Sequence, residues 1–178
     1  LQYKEDVEKE IYRIENLEEY TNKLKEEQKE TTNKLDKLAE KIHELREEKA
    51  VKLSTEINKN LHDLEMKNAK VNIHTDYIKE EYYENGKDRV VFYIRTNIGE
   101  DEKELGKVAS GGEMSRIMLA IKTVLANTDN TSVLIFDEID TGISGKAANA
   151  VAEQLSKIAE KHQVLCISHL PNIAAVAD

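Results

Sequence analysis

Apolar residues recur at steps of three and four along the first third of the chain. Between Leu24 and Leu45 the two steps alternate, which is the spacing of a coiled-coil seam. The seam positions there are Leu24, Gln28, Thr31, Leu35, Leu38, Ile42 and Leu45. The same helical face continues upstream at Val7, Ile11, Ile14, Leu17 and Thr21, and downstream at Leu53, Ile57, Leu61 and Leu64. The pattern predicts one long helical arm over residues 1–68.

The predicted arm has nothing that would strongly interrupt a helix. The first glycine is Gly86 and the only proline is Pro171. A helix of about 60 residues would be roughly 90 Å long, and it cannot bury its own apolar stripe. We therefore expect it to pair with another helix. That helix is either an identical one in a homodimeric coiled coil or an antiparallel one from a segment outside this sequence.

Strand patterns begin after the arm. Residues 71–74 and 89–96 are rich in β-branched and aromatic side chains, and a turn signal at 84–87 separates them. They predict two antiparallel strands. A helix follows at about 112–126, where the apolar face holds Met114, Ile117, Met118, Ile121 and Leu125.

A strand, a helix and a second strand complete the pattern. Short apolar runs at 132–136 and 164–168 flank a helical pattern at 146–161. This order predicts parallel neighbouring strands in an α/β sheet. Residues 69–178 are therefore expected to form a separate α/β lobe.

The first candidate site is the end of the apolar run at 133–136, which leads directly into Asp137 and Glu138. Ligands of open α/β sheets bind at the carboxyl ends of the strands. Asp137 is a hard oxygen ligand suited to Mg²⁺, and Glu138 could orient or deprotonate an attacking water. A buried strand that merely runs into an acidic loop would look the same.

The second candidate is the segment Ala109-Ser110-Gly111-Gly112-Glu113, directly before a helix. Glycines let the backbone approach a ligand closely, and free N–H groups at a helix start favour a phosphate. Ser110 adds a hydroxyl donor. The alternative is a capping box, in which Ser110 and Glu113 only cap the helix.

The third candidate is Ser168-His169, at the end of the second apolar run. His169 could contact a terminal phosphate, although a lone histidine at a strand end is more often structural. The order of the three elements is informative. A glycine-rich helix start, a strand that ends in Asp-Glu and a strand that ends in His follow one another in ABC-type ATPases.

The segment from Lys107 to Asp178 resembles the RecN family of bacterial DNA repair proteins. The resemblance is carried by residues 108–116 (VASGGEMSR), 136–145 (FDEIDTGISG) and 167–171 (ISHLP). It implies the C-terminal half of an ABC-type ATPase head, with a P-loop NTPase-like sheet and flanking helices, plus a coiled-coil arm. It also implies an SMC-like ATPase of double-strand break repair and recombination. In such a protein, ATP binding between paired heads drives head engagement and DNA association.

The resemblance assigns roles to individual residues. Ser110, Gly111, Gly112 and Glu113 would be the signature motif that contacts ATP on a second head. Asp137 would be the metal carboxylate, Glu138 the catalytic base and His169 the switch histidine. Residues 141–145 would be the D-loop, although Ser144 stands where related proteins usually carry Asp, and we assign Ser144 no catalytic role.

A missing motif limits what the chain could do by itself. No Gly-x-x-x-x-Gly-Lys-Ser/Thr loop occurs in the sequence, and that loop supplies most ground-state binding of ATP. We expect the chain to be a piece of a longer protein, inactive alone. ATP and Mg²⁺ would then require the N-terminal half of that protein. The expected partners are this half, a second head in a homodimer, and DNA through the full-length protein.

Composition adds three limits. The formal net charge of -9 argues against a broad basic surface for DNA. The single cysteine, Cys166, excludes an internal disulfide, and we expect a buried thiol in a cytoplasmic, nucleoid-associated protein. No apolar stretch is long enough to cross a bilayer, so no membrane partner is expected.

Three rival interpretations remain from the sequence. An ABC transporter subunit shares the motifs but has no place for so long an arm. Another SMC-class head is closer, and a scaffold without catalytic activity belongs to a different class. Mg-dependent ATP binding would discriminate the last from the others.

Overall fold

The computed structural model describes residues 2–108 and 110–177. Leu1, Ala109 and Asp178 lie outside the described residues, so the first residue of the glycine-rich segment is not characterised. The other candidate residues named above are all described.

The predicted arm helix is present as α1, a single helix from Gln2 to Asp63 with 62 residues. It ends before residue 68 because the chain turns into a left-handed conformation at Glu65, with φ of 61°. The Met66 N–H donates to Leu61 O at 2.9 Å and the Glu65 N–H to His62 O at 3.0 Å. These bonds form a Schellman motif, which usually carries glycine at the left-handed position. Because this position is occupied by glutamate, no residue pattern marked the helix end.

The chain forms two compact units, and α1 contributes to both. The first unit holds the helix up to Leu45 together with Ile78–Lys87, and the second holds Arg46–Tyr77 and the chain from Asp88 onward. These units divide α1, whereas the sequence predicted domains of 1–68 and 69–178. That domain assignment stays a prediction.

In the first unit, a buried lysine is held against α1. Lys87 Nζ lies 2.7 Å from Asp36 Oδ1, donates to Lys79 O at 2.8 Å, and sits 3.9 Å from the centre of the Tyr82 ring. Tyr82 also donates its hydroxyl to Asp36 at 2.7 Å. The Lys87 hydrogen bond, followed by that of Tyr82, lowers the pKa of Asp36. This side of the helix is thus covered by the segment 78–87.

The predicted seam side of α1 is uncovered as far as Leu45. Large apolar side chains exposed along it are Val7, Ile11, Ile14, Leu17, Leu24, Leu35, Leu38, Ile42 and Leu45. In the second unit, by contrast, Ile57 and Leu61 are fully buried. The same face of α1 is therefore exposed up to Leu45 and buried in the protein core at Ile57 and Leu61.

The second unit contains an antiparallel sheet of three strands. Strand β1 (Lys70–Tyr77) pairs with β2 (Asp88–Arg95), and β2 pairs with the short β3 (Lys103–Glu104). The first two strands were predicted, while β3 was not. A short 3₁₀ helix, Leu105–Lys107, follows.

At the outer edge of this sheet, α1 supplies a side chain to the backbone of β1. Asn58 Nδ2 donates to Val71 O at 2.9 Å, and Asn58 Oδ1 accepts the Val71 N–H at 2.7 Å. The amide pairs with both backbone groups of Val71, as a neighbouring strand would.

The predicted strand, helix and strand follow a helix that opens at the glycines. Helix α2 spans Gly111–Leu125, strand β4 Val133–Phe136, helix α3 Lys146–Ala159 and strand β5 Gln163–Cys166. Strands β4 and β5 are parallel, as predicted. A last helical turn, α4 (Pro171–Ala174), was not predicted.

One continuous core fills the second unit. It joins the end of α1 to the two sheets and to helices α2 and α3, and its largest fully buried members include Ile57, Leu61, Leu64, Ile94, Ile117, Leu119, Ile139 and Ile158. Leu119 and Ala120 face this core, whereas Met114 and Met118 of the predicted apolar face are only partly buried. Strands β4 and β5 place Leu134 and Phe136 inward, and their opposite face is exposed.

Candidate functional site

Two of the three candidate segments lie at the carboxyl ends of the two parallel strands. Asp137 and Glu138 follow β4 directly, and Ser168 and His169 come just after β5. Because β4 and β5 are parallel and in register, these residues emerge at the same edge of the sheet. That edge is where open α/β sheets bind ligands.

Glu138 has an unusual backbone conformation. Its φ of 55° is left-handed, which few residues other than glycine adopt without strain. The Glu138 N–H donates to Asp137 Oδ1 at 2.8 Å, and both side chains are exposed. The turn formed by Asp137 and Glu138, the acidic turn, therefore presents two neighbouring carboxylates to solvent. One oxygen of Asp137 accepts the Glu138 N–H.

The start of α2 packs against this acidic turn. A Cβ added to Gly112 would lie 2.9 Å from Glu138 O and 2.9 Å from Thr141 Cβ. A Cβ on Gly111 would collide with the Glu138 carboxylate. Gly112 is therefore needed for close packing in this unit, whereas the Glu138 side chain could move away from a residue larger than glycine at position 111.

The capping-box alternative is not supported by the geometry. Ser110 is the N-cap residue of α2, but its side chain makes no cap hydrogen bond. Its carbonyl accepts the Met114 N–H at 3.0 Å, as helix geometry requires. The Ser110 hydroxyl is exposed and remains suited to a ligand.

Two further side chains of α2 donate hydrogen bonds to the backbone of the loop after β4. The sequence analysis assigned them no individual role. Ser115 Oγ donates to Asp137 O at 2.7 Å. Arg116 Nη1 donates to Ile139 O at 3.2 Å and to Thr141 O at 2.9 Å. Arg116 is only 7% exposed; burial lowers the pKa of its guanidinium, and the charge of Glu113 acts in the opposite direction.

A buried carboxylate joins the two strand ends. Asp140 Oδ2 accepts the Ser168 hydroxyl at 2.6 Å and the His169 N–H at 2.8 Å, and it lies 3.0 Å from His169 Nδ1. Burial alone would raise the pKa of the Asp140 carboxyl, but the hydrogen bonds from Ser168 and the backbone, together with the charge of His169, hold that pKa below its usual range. Asp140 therefore stays ionised beside His169.

Cys166, at the end of β5, is partly buried and has no disulfide partner in the chain. Burial raises the pKa of its thiol, and the charges of Asp140 and Asp137 raise it further. The side chain is less buried than the sequence predicted.

The segment predicted as the D-loop, 141–145, connects the acidic turn to α3. Gly142 and Gly145 have φ of 74° and 53°, conformations that favour glycine. Ser144 is exposed.

The described contacts divide the candidate residues into two groups. The glycine pair lies against Glu138, and His169 lies against Asp140. Among the hydrogen bonds and ion pairs of residues 2–108 and 110–177, none joins His169 to Asp137 or Glu138. In the same part of the chain, no group of three or more His, Cys, Asp or Glu side chains could hold a metal ion.

Curated relatives match the chain over all or part of its length. The DNA repair protein RecN of Bacillus subtilis is 40% identical over 192 residues, covering 100% of this chain and 33% of that protein. The DNA repair protein RecN of Halalkalibacterium halodurans is 49% identical over 137 residues, covering 75% of this chain and 24% of that protein. The chain belongs to the RecN family. No family model matches it.

The RecN match defines how much of such a protein is present. The chain spans about a third or less of the length of these relatives, with 33% and 24% covered. In the RecN protein of Treponema pallidum the match is 57% identical over 93 residues, 52% of this chain. It is thus a RecN sequence of partial length.

Two solved structures show the same fold. The Smc head domain with an extended coiled coil from Pyrococcus furiosus aligns with a TM-score of 0.58, 19% identity, and 88% of this chain and 38% of that chain covered. The Smc head domain with a coiled coil and joint from Pyrococcus yayanosii aligns with a TM-score of 0.52 and 19% identity, and the alignment covers 75% of this chain and 24% of that chain. The predicted fold class, half of an ABC-type head with a coiled-coil helix, is confirmed. In the described residues no helix is long and apolar enough to cross a membrane.

Proposed function

We propose that this chain is the C-terminal half of an SMC-like ATPase head that acts in DNA double-strand break repair and recombination. The observation that carries the proposal is the acidic turn after β4. It presents Asp137 and Glu138 from a strained backbone at the ligand-binding edge of a parallel sheet, packed on the glycine start of α2. Strained backbone conformations of this kind cluster at active sites and ligand-binding loops.

The residues present fit the nucleotide and metal that the proposal requires. At the start of α2, exposed Ser110 and the backbone N–H groups of the first turn suit phosphate oxygens. Asp137 keeps one oxygen free of the Glu138 bond and would hold Mg²⁺, which needs only one or two protein carboxylates beside phosphates and waters. When bound, Mg²⁺ neutralises charge on the phosphates. Glu138 would hold and deprotonate the attacking water, and His169 would contact the terminal phosphate.

The missing part of the head would come from the N-terminal half of the same longer protein. The uncovered face of β4 and β5 supports this, because a sheet in an α/β lobe is normally covered on both faces. We further propose that a second head supplies the opposite half of each ATP site, so that ATP drives head engagement. DNA association, in the cytoplasm at the nucleoid, would belong to the full-length protein.

Reconstitution tests the function. The chain alone should show no ATP hydrolysis, and mixing it with the N-terminal half of its longer protein should give Mg-dependent ATP binding and turnover. Glu138→Gln should abolish turnover while ATP binding persists, because the amide cannot accept the proton of the water.

The matched control is Glu153→Gln, an exposed glutamate on α3, which should leave turnover unchanged. Normal turnover in the Glu138→Gln protein would refute the assigned base. Absence of Mg-dependent ATP binding in the reconstituted head would leave only the scaffold interpretation.

A further inference from the structure

The imidazole of His169 is anchored at one nitrogen and open at the other. Its side chain is 79% exposed, but Nδ1 lies 3.0 Å from Asp140 Oδ2, and the Asp140 side chain is 4% exposed. Ser168 and the His169 backbone donate to that same oxygen. Two hydrogen-bond donors of this dipeptide, and the ring nitrogen of its histidine, therefore lie around one buried carboxylate oxygen.

The chemistry of this contact fixes the ring. An ionised carboxylate only accepts hydrogen bonds, so its place 3.0 Å from Nδ1 favours a proton on that nitrogen. A carboxylate next to Nδ1 favours one tautomer and restricts the orientation of the ring, and Nε2 is left for a ligand. The Ser168 and backbone bonds hold the carboxylate itself in place.

We propose that Asp140 is a positioning residue for His169, which holds the ring so that Nε2 faces the terminal phosphate of ATP. This inference rests on the proposed function. Asp140 touches no reacting atom and acts only through the histidine. A purely structural role, joining the loops after β4 and β5, is the competing explanation.

A double-substitution cycle in the full-length protein separates the two explanations. Asp140→Asn keeps the shape of the side chain and removes its charge. It should lower kcat for ATP by about 10- to 100-fold, as loss of the carboxylate partner does for metal-ligating histidines, with KM changed by less than about twofold. His169→Gln should lower kcat also. When His169 is already Gln, adding Asp140→Asn should cause no further loss.

Independent losses that multiply in the double variant would overturn the proposal, because a structural role does not pass through His169. An Asp140→Asn protein with wild-type kcat would also overturn it. If Asp140→Asn does not fold, Ser168→Ala, which removes one donor to the carboxylate, replaces it in the same cycle. Lack of ATP turnover in the wild-type protein would instead refute the proposed function, so the two failures are distinguishable.

Discussion

Gly112 lies where any side chain would meet the loop after β4. The atoms that a Cβ would approach at 2.9 Å are a backbone oxygen and a β-carbon, which cannot move aside without moving the loop. We expect Gly112→Ala to lower the free energy of unfolding by about 1 to 3 kcal/mol, the usual cost of overpacking. It should also lower ATP turnover of the reconstituted head, since the loop carries Glu138. Chemical denaturation and an ATPase assay measure the two effects.

Gly106→Ala is the matched control for Gly112→Ala. A Cβ at Gly106 would meet nothing within 4 Å, so stability and turnover should both stay near the wild-type values. A Gly112→Ala protein as stable and active as the control would show that the acidic turn tolerates displacement.

Arg116 supports the same loop by hydrogen bonding. Arg116→Met keeps the length of the side chain but removes both bonds to the carbonyls of Ile139 and Thr141. We expect the free energy of unfolding to fall by about 1.5 to 3 kcal/mol, typical of hydrogen bonds from a charged donor. Arg89→Met, at an exposed position on β2, should change it by less than about 0.5 kcal/mol. Equal stability of the two variants in denaturant titrations would contradict this role of Arg116.

At the scale of residues, the sequence shows which side chains are candidates but not what holds them. Asp137, Glu138 and His169 follow from their places at strand ends. The roles of Arg116 and Asp140 depend on partners more than 20 residues away, which no local pattern encodes. One sign was available for Arg116: it precedes Ile117 on the apolar side of α2, where a charge needs a fixed partner.

Elements with a distinctive pattern could be predicted, and those without one could not. Helix α1 has a clear period, and β4 and β5 are apolar runs that flank a helical pattern. Strand β3 has two residues and α4 has four, too few to show any period. The end of α1 was misplaced because a glutamate occupies the left-handed position of its Schellman motif.

That glutamate also joins two elements. Glu65 lies 2.8 Å from Lys146 at the start of α3 and 3.0 Å from Lys67. Its hydrogen bonds to Lys146 and then to Lys67 lower the pKa of the Glu65 carboxyl from 4.5 to about 2. A lowered carboxyl pKa stabilises the fold above pH 4.5, and the contribution is lost as the pH falls towards 2.

We therefore expect Glu65→Gln to lower the unfolding midpoint at neutral pH, with a difference from wild type that shrinks between pH 4.5 and about 2. Thermal unfolding followed by circular dichroism across this pH range measures the difference. Glu56→Gln, at an exposed position on α1, serves as control. A difference that stayed constant with pH would show that the ionised form of Glu65 is not what stabilises the fold.

At the scale of the whole molecule, α1 passes from an exposed seam into a protein core, and its apolar periodicity is the same in both parts. Steps of three and four produce a coiled-coil seam and a core-facing helix alike. The sequence therefore predicted one arm, whereas the last part of the helix, with Ile57 and Leu61, is packed in the core of the second unit. Only tertiary contacts distinguish the two environments.

The uncovered face of β4 and β5 should make the chain associate with itself. Its exposed side chains are Val133, Ile135, Leu165 and Ile167. Contiguous apolar patches of this kind mark interaction surfaces. We expect light scattering to give a mass above the 20.3 kDa of the single chain. The double substitution Ile135→Ser and Leu165→Ser should shift it towards that value and weaken binding of the N-terminal half.

Ile98→Ser is the control for this face, because Ile98 is 78% exposed but lies outside the two strands. It should leave the mass distribution unchanged. A well-ordered monomer of the wild-type chain would contradict the prediction.

The amide of Asn58 has a consequence for solubility. Strand β1 is an edge strand of its sheet. Unpaired backbone groups on an edge strand can pair with strands of other molecules. At Val71 both groups are already bonded to Asn58, so a foreign strand would have to displace a side chain that α1 holds in place. The long helix thus protects the β-sheet against edge-to-edge aggregation at the point where the strand begins.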